Sequence, residues 1–312
     1  MKTMKVRTIC GDVAPDALQC TLAHEHLLVH YTRNLLDQKY VRERRYLPEF
    51  NRRIYRALAE LKKYRCNALI EATPIMPTRH PLLWREVAER SGLHIIASTG
   101  AYAEASIPRW LRRLDEDALV ELMISEIEEG MDGTNLRAGI IKLASSPPSF
   151  HKYEKKMFQA AILVQRQLGV PITTHAPLVL GEQLRFFLHH KVDLEKVTLG
   201  HVEVCSWPEI KDAARAGIGL TFTNIGGEKE IPEEIIVQQV AKLVRSGHVK
   251  QIMLSVDQAL YINFEKKNLE YHFPCGYAHV FKSAVPKLMK AGVKAREIDQ
   301  MLIENPRRFL AW

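Results

Sequence analysis

Short apolar runs recur along the chain, and between them lie longer stretches whose apolar positions return every three to four residues. The first run is Thr21-Leu-Ala-His-Glu-His-Leu-Leu28, and seven more fall at 67–73, 94–100, 139–144, 171–176, 197–201, 217–223 and 251–257. Runs of this length predict strands, and the helical spacing predicts helices over 53–63, 83–90, 117–129, 155–168, 180–190, 208–216, 233–246, 277–290 and 295–304. Asn305-Pro306 is expected to end the last helix, because the residue before a proline avoids helical geometry. Eight strands alternating with helices predict an α/β fold with a parallel sheet, a (β/α)8 TIM barrel built as a single domain over 1–312. A doubly wound open sheet is the alternative, but no Gly-x-Gly-x-x-Gly opens a helix after a strand. The longest irregular stretches, 28–50, 101–112 and 258–275, all follow strands, and barrel chemistry sits in such loops.

Composition adds little to the fold but narrows the function. The 312 residues are 46% hydrophobic and 26% charged, ordinary for a globular chain. The net charge of +8 raises nucleic acid as a partner, yet the basic residues are dispersed and no basic stripe carries interleaved aromatics, so none is expected. Cys10, Cys20, Cys66, Cys205 and Cys275 form no Cys-x-x-Cys pair, as in a reduced intracellular protein. No stretch approaches the roughly 20 apolar residues of a membrane span, and the N-terminus has no signal-like apolar core. A cytoplasmic protein without membrane contact is the expectation.

The polar residues at the carboxyl ends of the strands suggest one site. His24 and His26 are two apart, so in an extended strand both face the same side, while Glu25 faces the other, towards the helix layer. Lys142 lies inside the apolar strand Ile140-Ile-Lys-Leu143, where a buried ammonium needs a partner or a modification. His175, His201 and Asp257 close strands five, six and eight. Singly, each histidine has an ordinary structural role and Asp257 could cap a turn; together they point to divalent metal, since neutral imidazole and carboxylate are common ligands. Four histidines and an aspartate could hold two such ions if an anion bridges them.

This constellation resembles the phosphotriesterase family of the amidohydrolase superfamily over essentially the whole chain. The matching stretches are Leu22-Ala-His-Glu-His-Leu27, Ser98-Thr-Gly-Ala-Tyr102, Ile141-Lys-Leu143, Thr174-His175, Gly200-His-Val202, Leu254-Ser-Val-Asp257, and a closing stretch running from Gly292-Val to Glu304-Asn-Pro-Arg-Arg308. The resemblance implies a binuclear hydrolase. His24, His26 and Asp257 would hold the more buried metal and His175 and His201 the more exposed one, with N6-carboxylated Lys142 and a hydroxide bridging them. The ions would be zinc in the first instance, or manganese, cobalt or iron. The hydroxide attacks, and Asp257 accepts its proton. A homodimer is also implied. Ser255 and Cys205 are expected to be structural.

Within the resemblance, Tyr102 favours a lactonase, since phosphotriesterases proper carry tryptophan there. The substrate would be a lactone, sugar or phosphorylated sugar lactones included, with organophosphate or carboxyl esters as the alternative. Candidate substrate contacts are Lys229, beyond the Gly226-Gly227 turn, and Tyr261, Tyr271 and His272 in the last long loop. Related sequences often place an arginine three or four residues past the final aspartate. Leu260 and Tyr261 stand here instead, which leaves room for an apolar lactone or ester. Two rivals keep the barrel: a lyase using Lys142 as a Schiff base, and a binding protein without activity.

Overall fold

The computed structural model describes residues 4–30, 39, 41–75, 79–227 and 231–312. After an antiparallel hairpin of β1 (Val6–Thr8) and β2 (Gly11–Val13), eight strands form one parallel sheet in chain order. They are β3 (Cys20–Glu25), β4 (Cys66–Glu71), β5 (His94–Gly100), β6 (Ile140–Ala144), β7 (Ile172–His175), β8 (Val197–Gly200), β9 (Gly219–Phe222) and β10 (Ile252–Leu254). The first and last come together at their carboxyl ends, where the His26 N–H donates to the Gln258 carbonyl at 2.8 Å and the His24 N–H to Ser255 Oγ at 2.8 Å. The eight strand runs fall where the apolar pattern places them, and the result is a TIM barrel.

Two apolar layers follow from the period of two along each strand. Leu69, Ile95, Ala97, Ile141 and Leu143 pack outward under the helices. Ala68, Ile70, Ile96, Ile140 and Met253 fill the barrel interior, plugged below by Val6, Leu18, Phe309 and Leu310. Inward positions further along the strands are polar, and the site is built there.

Most helices match the spacing in the sequence, and the differences have local causes. The first predicted helix spans Leu47–Leu61 rather than 53–63, because Pro48 starts a turn whose buried stripe is Phe50, Ile54, Leu58 and Leu61. The last helix does not end at Asn305-Pro306; after a wide π turn at Gln300–Glu304 it continues as Asn305–Leu310. The same device precedes Pro286, with a π turn at Val280–Ala284. In both, the N–H before the proline reaches back five residues, so the ring is accommodated and the helix carries on. The stretch 258–275 is not irregular throughout. It holds a hairpin of β11 (Leu260–Asn263) and β12 (Asn268–Tyr271), which pairs through Tyr261 with Val29 just past β3.

An isolated ion network ties the loop after β4 to the helix layer. Arg79 is 5% exposed; its guanidinium donates to Asp132 through Nε at 2.9 Å and to Glu126 through Nη1 at 2.8 Å, and Thr99 donates to the same Glu126 carboxylate.

Candidate active site

The first pair of histidines is aimed by an irregularity that alternation alone does not show. In the β3–β4 pairing Leu22 is opposite Leu69 and Glu25 opposite Glu71, so Ala23 and His24 share the place opposite Ile70. This bulge brings both Ala23 and His24 to the interior and leaves Glu25 on the face of Glu71. Glu25 is not a partner of the helix layer. It is fully buried and accepts from Ser255 Oγ at 2.7 Å and from the N–H groups of Val256 at 2.9 Å and Gln258 at 2.6 Å. Barrel closure puts the turn after β10 directly over it, so Glu25 holds the backbone that presents Asp257. Ser255 and the buried Cys205 are structural in their contacts, as the sequence suggests.

His24, His26, Lys142, His175, His201 and Asp257 converge at the carboxyl ends of the strands. The ligand atoms of His24, His201 and Asp257 lie within 4.8 Å of one another. His26 Nε2 is 3.3 Å from Asp257 Oδ1, and the His175 and His201 rings are 4.1 Å apart. His201 and Asp257 both adopt left-handed backbone geometry, with φ of 58° each, a cost that turns their side chains inward from the strand ends. Gly200 makes room for this packing: a Cβ there would lie 2.4 Å from the Thr174 carbonyl and 3.3 Å from His24 Nδ1. Gly200→Ala is therefore expected to displace His24 and to cut activity at least as much as it cuts stability. Wild-type kcat/KM in that variant would contradict the packing.

The charges in the site are set by burial. Burial pushes His201 down to about 4 and His24 and His175 well below their usual value, so these imidazoles are neutral and have lone pairs to offer. Burial alone would raise Asp257, but its close contacts with His26, His24 and His201 hold it well below the usual carboxylate range. Its Oδ1 is nevertheless buried without a hydrogen-bond donor. Lys142 is 1% exposed with Nζ 3.0 Å from His24 Nε2, and burial brings its amine down to about 7. Neutral imidazoles around an ionised carboxylate with an unsatisfied oxygen form a donor set suited to divalent cations.

A cavity of about 300 Å³ opens above this cluster, lined by His24, His26, Tyr102, His175, His201 and Asp257, together with Tyr261 and His272 from the β11–β12 hairpin. The Tyr102 hydroxyl is 3.1 Å from His175 Nε2. Lys142, 1% exposed, lies beneath the residues that line the cavity. Tyr271 does not reach the site either. It faces outward, donating to the Arg53 carbonyl at 3.3 Å, because its strand position alternates with that of His272. Lys229 lies outside the described residues. Sequence reasoning missed Asn224 after β9, which completes the lining with Val29, Pro74, Pro177 and Val204. No lysine or arginine lines the cavity among the described residues.

Two further histidines lie outside the cluster. His279 pairs with Glu233 at 2.5 Å. His30 Nε2 is 2.9 Å from His80 Nε2, and burial pushes His30 to about 4 and His80 to about 3. Both lie below the unfolded value near 6.5. Their contribution to stability is thus fully present above that pH and is lost as pH falls towards the folded values. Thermal melts are expected to give a lower Tm at pH 5 than at pH 7, with a smaller drop in His80→Gln; an undiminished drop would count against this pair.

The barrel and its inward cluster define a metal-dependent hydrolase. The chain belongs to the phosphotriesterase family, whose model matches residues 4–310, a family of hydrolases with a binuclear metal centre. It is similar to a phosphotriesterase homology protein of Escherichia coli (strain K12), 30% identical over 300 residues that span 94% of this chain and 98% of that protein. An N-acetyltaurine hydrolase of Salmo salar is 26% identical over 99% of this chain and 98% of its own length. Among solved structures, a mutant of a PTE-like lactonase of Deinococcus radiodurans superposes with a TM-score of 0.86 at 25% identity, covering 98% of this chain and 99% of that one. Among the described residues no helix is long and apolar enough to cross a membrane.

Proposed function

We propose that this enzyme hydrolyses small uncharged lactones or carboxyl esters at a centre of two divalent ions, zinc in the first instance. The observation that carries the substrate class is the cavity itself. At about 300 Å³ it lies at the small end of the range for ligand sites, and its described lining has no lysine or arginine to pair with a phosphate. His24, His26, His175, His201 and Asp257 would hold the ions. Lys142, with its amine held near neutrality, would be carboxylated by carbon dioxide and supply the bridging anion. Bound there, the ions would lower the pKa of a water and polarise the scissile carbonyl.

The remaining work falls to side chains of this chain. Asp257, kept ionised, accepts the proton of the attacking water at its unsatisfied Oδ1. Tyr102 holds a hydroxyl at the edge of the cluster, placed to donate to the oxygen on which charge develops. Tyr102→Phe is expected to lower kcat by about 10²-fold with a smaller change in KM; an unchanged kcat would remove Tyr102 from the reaction. Val29, Pro74, Pro177 and Val204 give the acyl part of the substrate an apolar wall.

An N-acyl amide is the second substrate class to test, because N-acetyltaurine hydrolases match nearly the whole chain. A sulfonate or phosphate would call for a cation, which the described lining lacks. A panel of plain lactones, phosphorylated lactones, aryl esters, N-acyl amino sulfonates and phosphotriesters, run on protein of measured metal content, separates these classes. Plain lactones or esters are expected to give the highest kcat/KM. Preference for an anionic substrate would overturn the assignment.

A further inference from the structure

Two glutamates with no part in the chemistry above stand behind two of the ligand histidines in the same way. Glu71 and Thr73 are each fully buried at the end of β4, and Glu203 and Thr223 are 1% and 0% exposed after β8 and β9. Thr73 Oγ1 is 2.9 Å from Glu71 Oε1 and 2.7 Å from His26 Nδ1. Thr223 Oγ1 is 3.0 Å from Glu203 Oε1 and 2.9 Å from His201 Nδ1. Backbone donors fill out each carboxylate: Leu27 and Thr73 N–H at 3.0 Å each on Glu71, and Thr223 and Asn224 N–H at 3.1 Å each on Glu203.

We infer that these are two positioning relays, Glu71–Thr73–His26 and Glu203–Thr223–His201, each fixing the tautomer and ring plane of a histidine that serves a different metal position. The inference rests on the binuclear reading above, with His26 and His201 assigned to separate ions. The reasoning is an account of protons. A threonine hydroxyl has one proton to donate. Each carboxylate, surrounded by three donors, takes that proton as an acceptor. The hydroxyl can then only accept from the imidazole, so Nδ1 carries the hydrogen and Nε2 is bare. In both residues Nε2 is the atom turned to the centre, 3.3 Å from Asp257 Oδ1 in His26 and 3.8 Å from Asp257 Oδ2 in His201. Hydrogen bonding of the remote ring nitrogen is what orients metal-bound histidines and raises their basicity. Here a threonine is interposed between carboxylate and ring, which puts the negative charge one side chain further from the ion. His24 has no such support, since its Nδ1 is buried without a partner.

The test compares Thr73→Val and Thr223→Val, which keep the shape and lose the hydroxyl, with Thr73→Ser and Thr223→Ser, which keep it. Cobalt binding is followed by visible absorption and by competition with a chelator, and the Tm of each metal-free variant reports folding. Each valine variant is expected to lose about 10–100-fold in affinity for one cobalt ion and to keep the other. The two should show different residual spectra, and serine should restore binding. Valine variants that bind both ions as wild type does, or serine variants as weak as the valine ones, would overturn the relays. Wild type binding fewer than two ions would instead overturn the binuclear reading. Should a valine variant fail to fold, the histidine 15N shifts of zinc-loaded wild type decide the matter: protonated Nδ1 and metal-bound Nε2 on His26 and His201 are expected, and coordination through Nδ1 on either contradicts the inference.

Discussion

Asp257→Asn is expected to lower kcat by about 10³-fold or more while part of the metal complement stays bound. Asparagine keeps the size and one oxygen of the side chain but removes the negative charge that accepts the proton in the proposed mechanism, a function worth roughly 10²–10⁴ in rate. It also weakens the pull between this residue and the metal that, in the proposed centre, His24 and His26 would hold. Glu25 still fixes the turn, because its bonds go to the Ser255 side chain and to backbone N–H groups on either side of position 257. The variant should therefore fold, and its metal-free Tm should stay close to that of wild type. Steady-state kinetics with metal analysis on the same preparation checks this. Full activity in the variant would remove Asp257 from the mechanism.

The largest effect on stability is expected at Arg79, remote from the chemistry. Its guanidinium joins two carboxylates, and Glu126 is only 5% exposed, so removing the cation leaves a buried negative charge without its partner. Breaking a buried pair in this way costs roughly 3–5 kcal/mol. Arg79→Met is expected to lose that much in denaturant unfolding, with Tm lower by about 5–15 °C. Adding Glu126→Gln to the same chain should recover part of the loss, because the stranded charge is then gone. A double variant no better than the single one would show that Arg79 acts through packing alone.

The strands and the polar side chains gathered at their ends were legible in the sequence for one shared reason: a barrel strand is covered on both faces, so a polar residue within it stands out. Lys142 was found by that reasoning. Glu71, in Ala68-Leu-Ile-Glu71, and Glu203, in His201-Val-Glu-Val204, carry the same signal and could have been found by it. What sequence spacing could not show was the bulge at Ala23 and His24, since an extra residue in one strand leaves no mark on alternation. The partner of Glu25 was hidden for a related reason, as it depends on the first and last strands meeting across the whole chain. The hairpin after β10 escaped notice because its strands are four residues each. Only that hairpin separates His272, which faces the cavity, from Tyr271, which does not. The two π turns likewise let helices run through Pro286 and Pro306, where a local rule ends them.

The central claim is that this cluster of histidines, lysine and aspartate works as a binuclear metal site, and a titration tests it most directly. Protein stripped with a chelator is supplied with zinc, manganese or cobalt in bicarbonate buffer while metal content and lactone or ester hydrolysis are followed together. Activity should be absent from the stripped protein and return to a plateau at two equivalents per chain. Hydrolysis that survives stripping, or a plateau at one equivalent, would contradict the account.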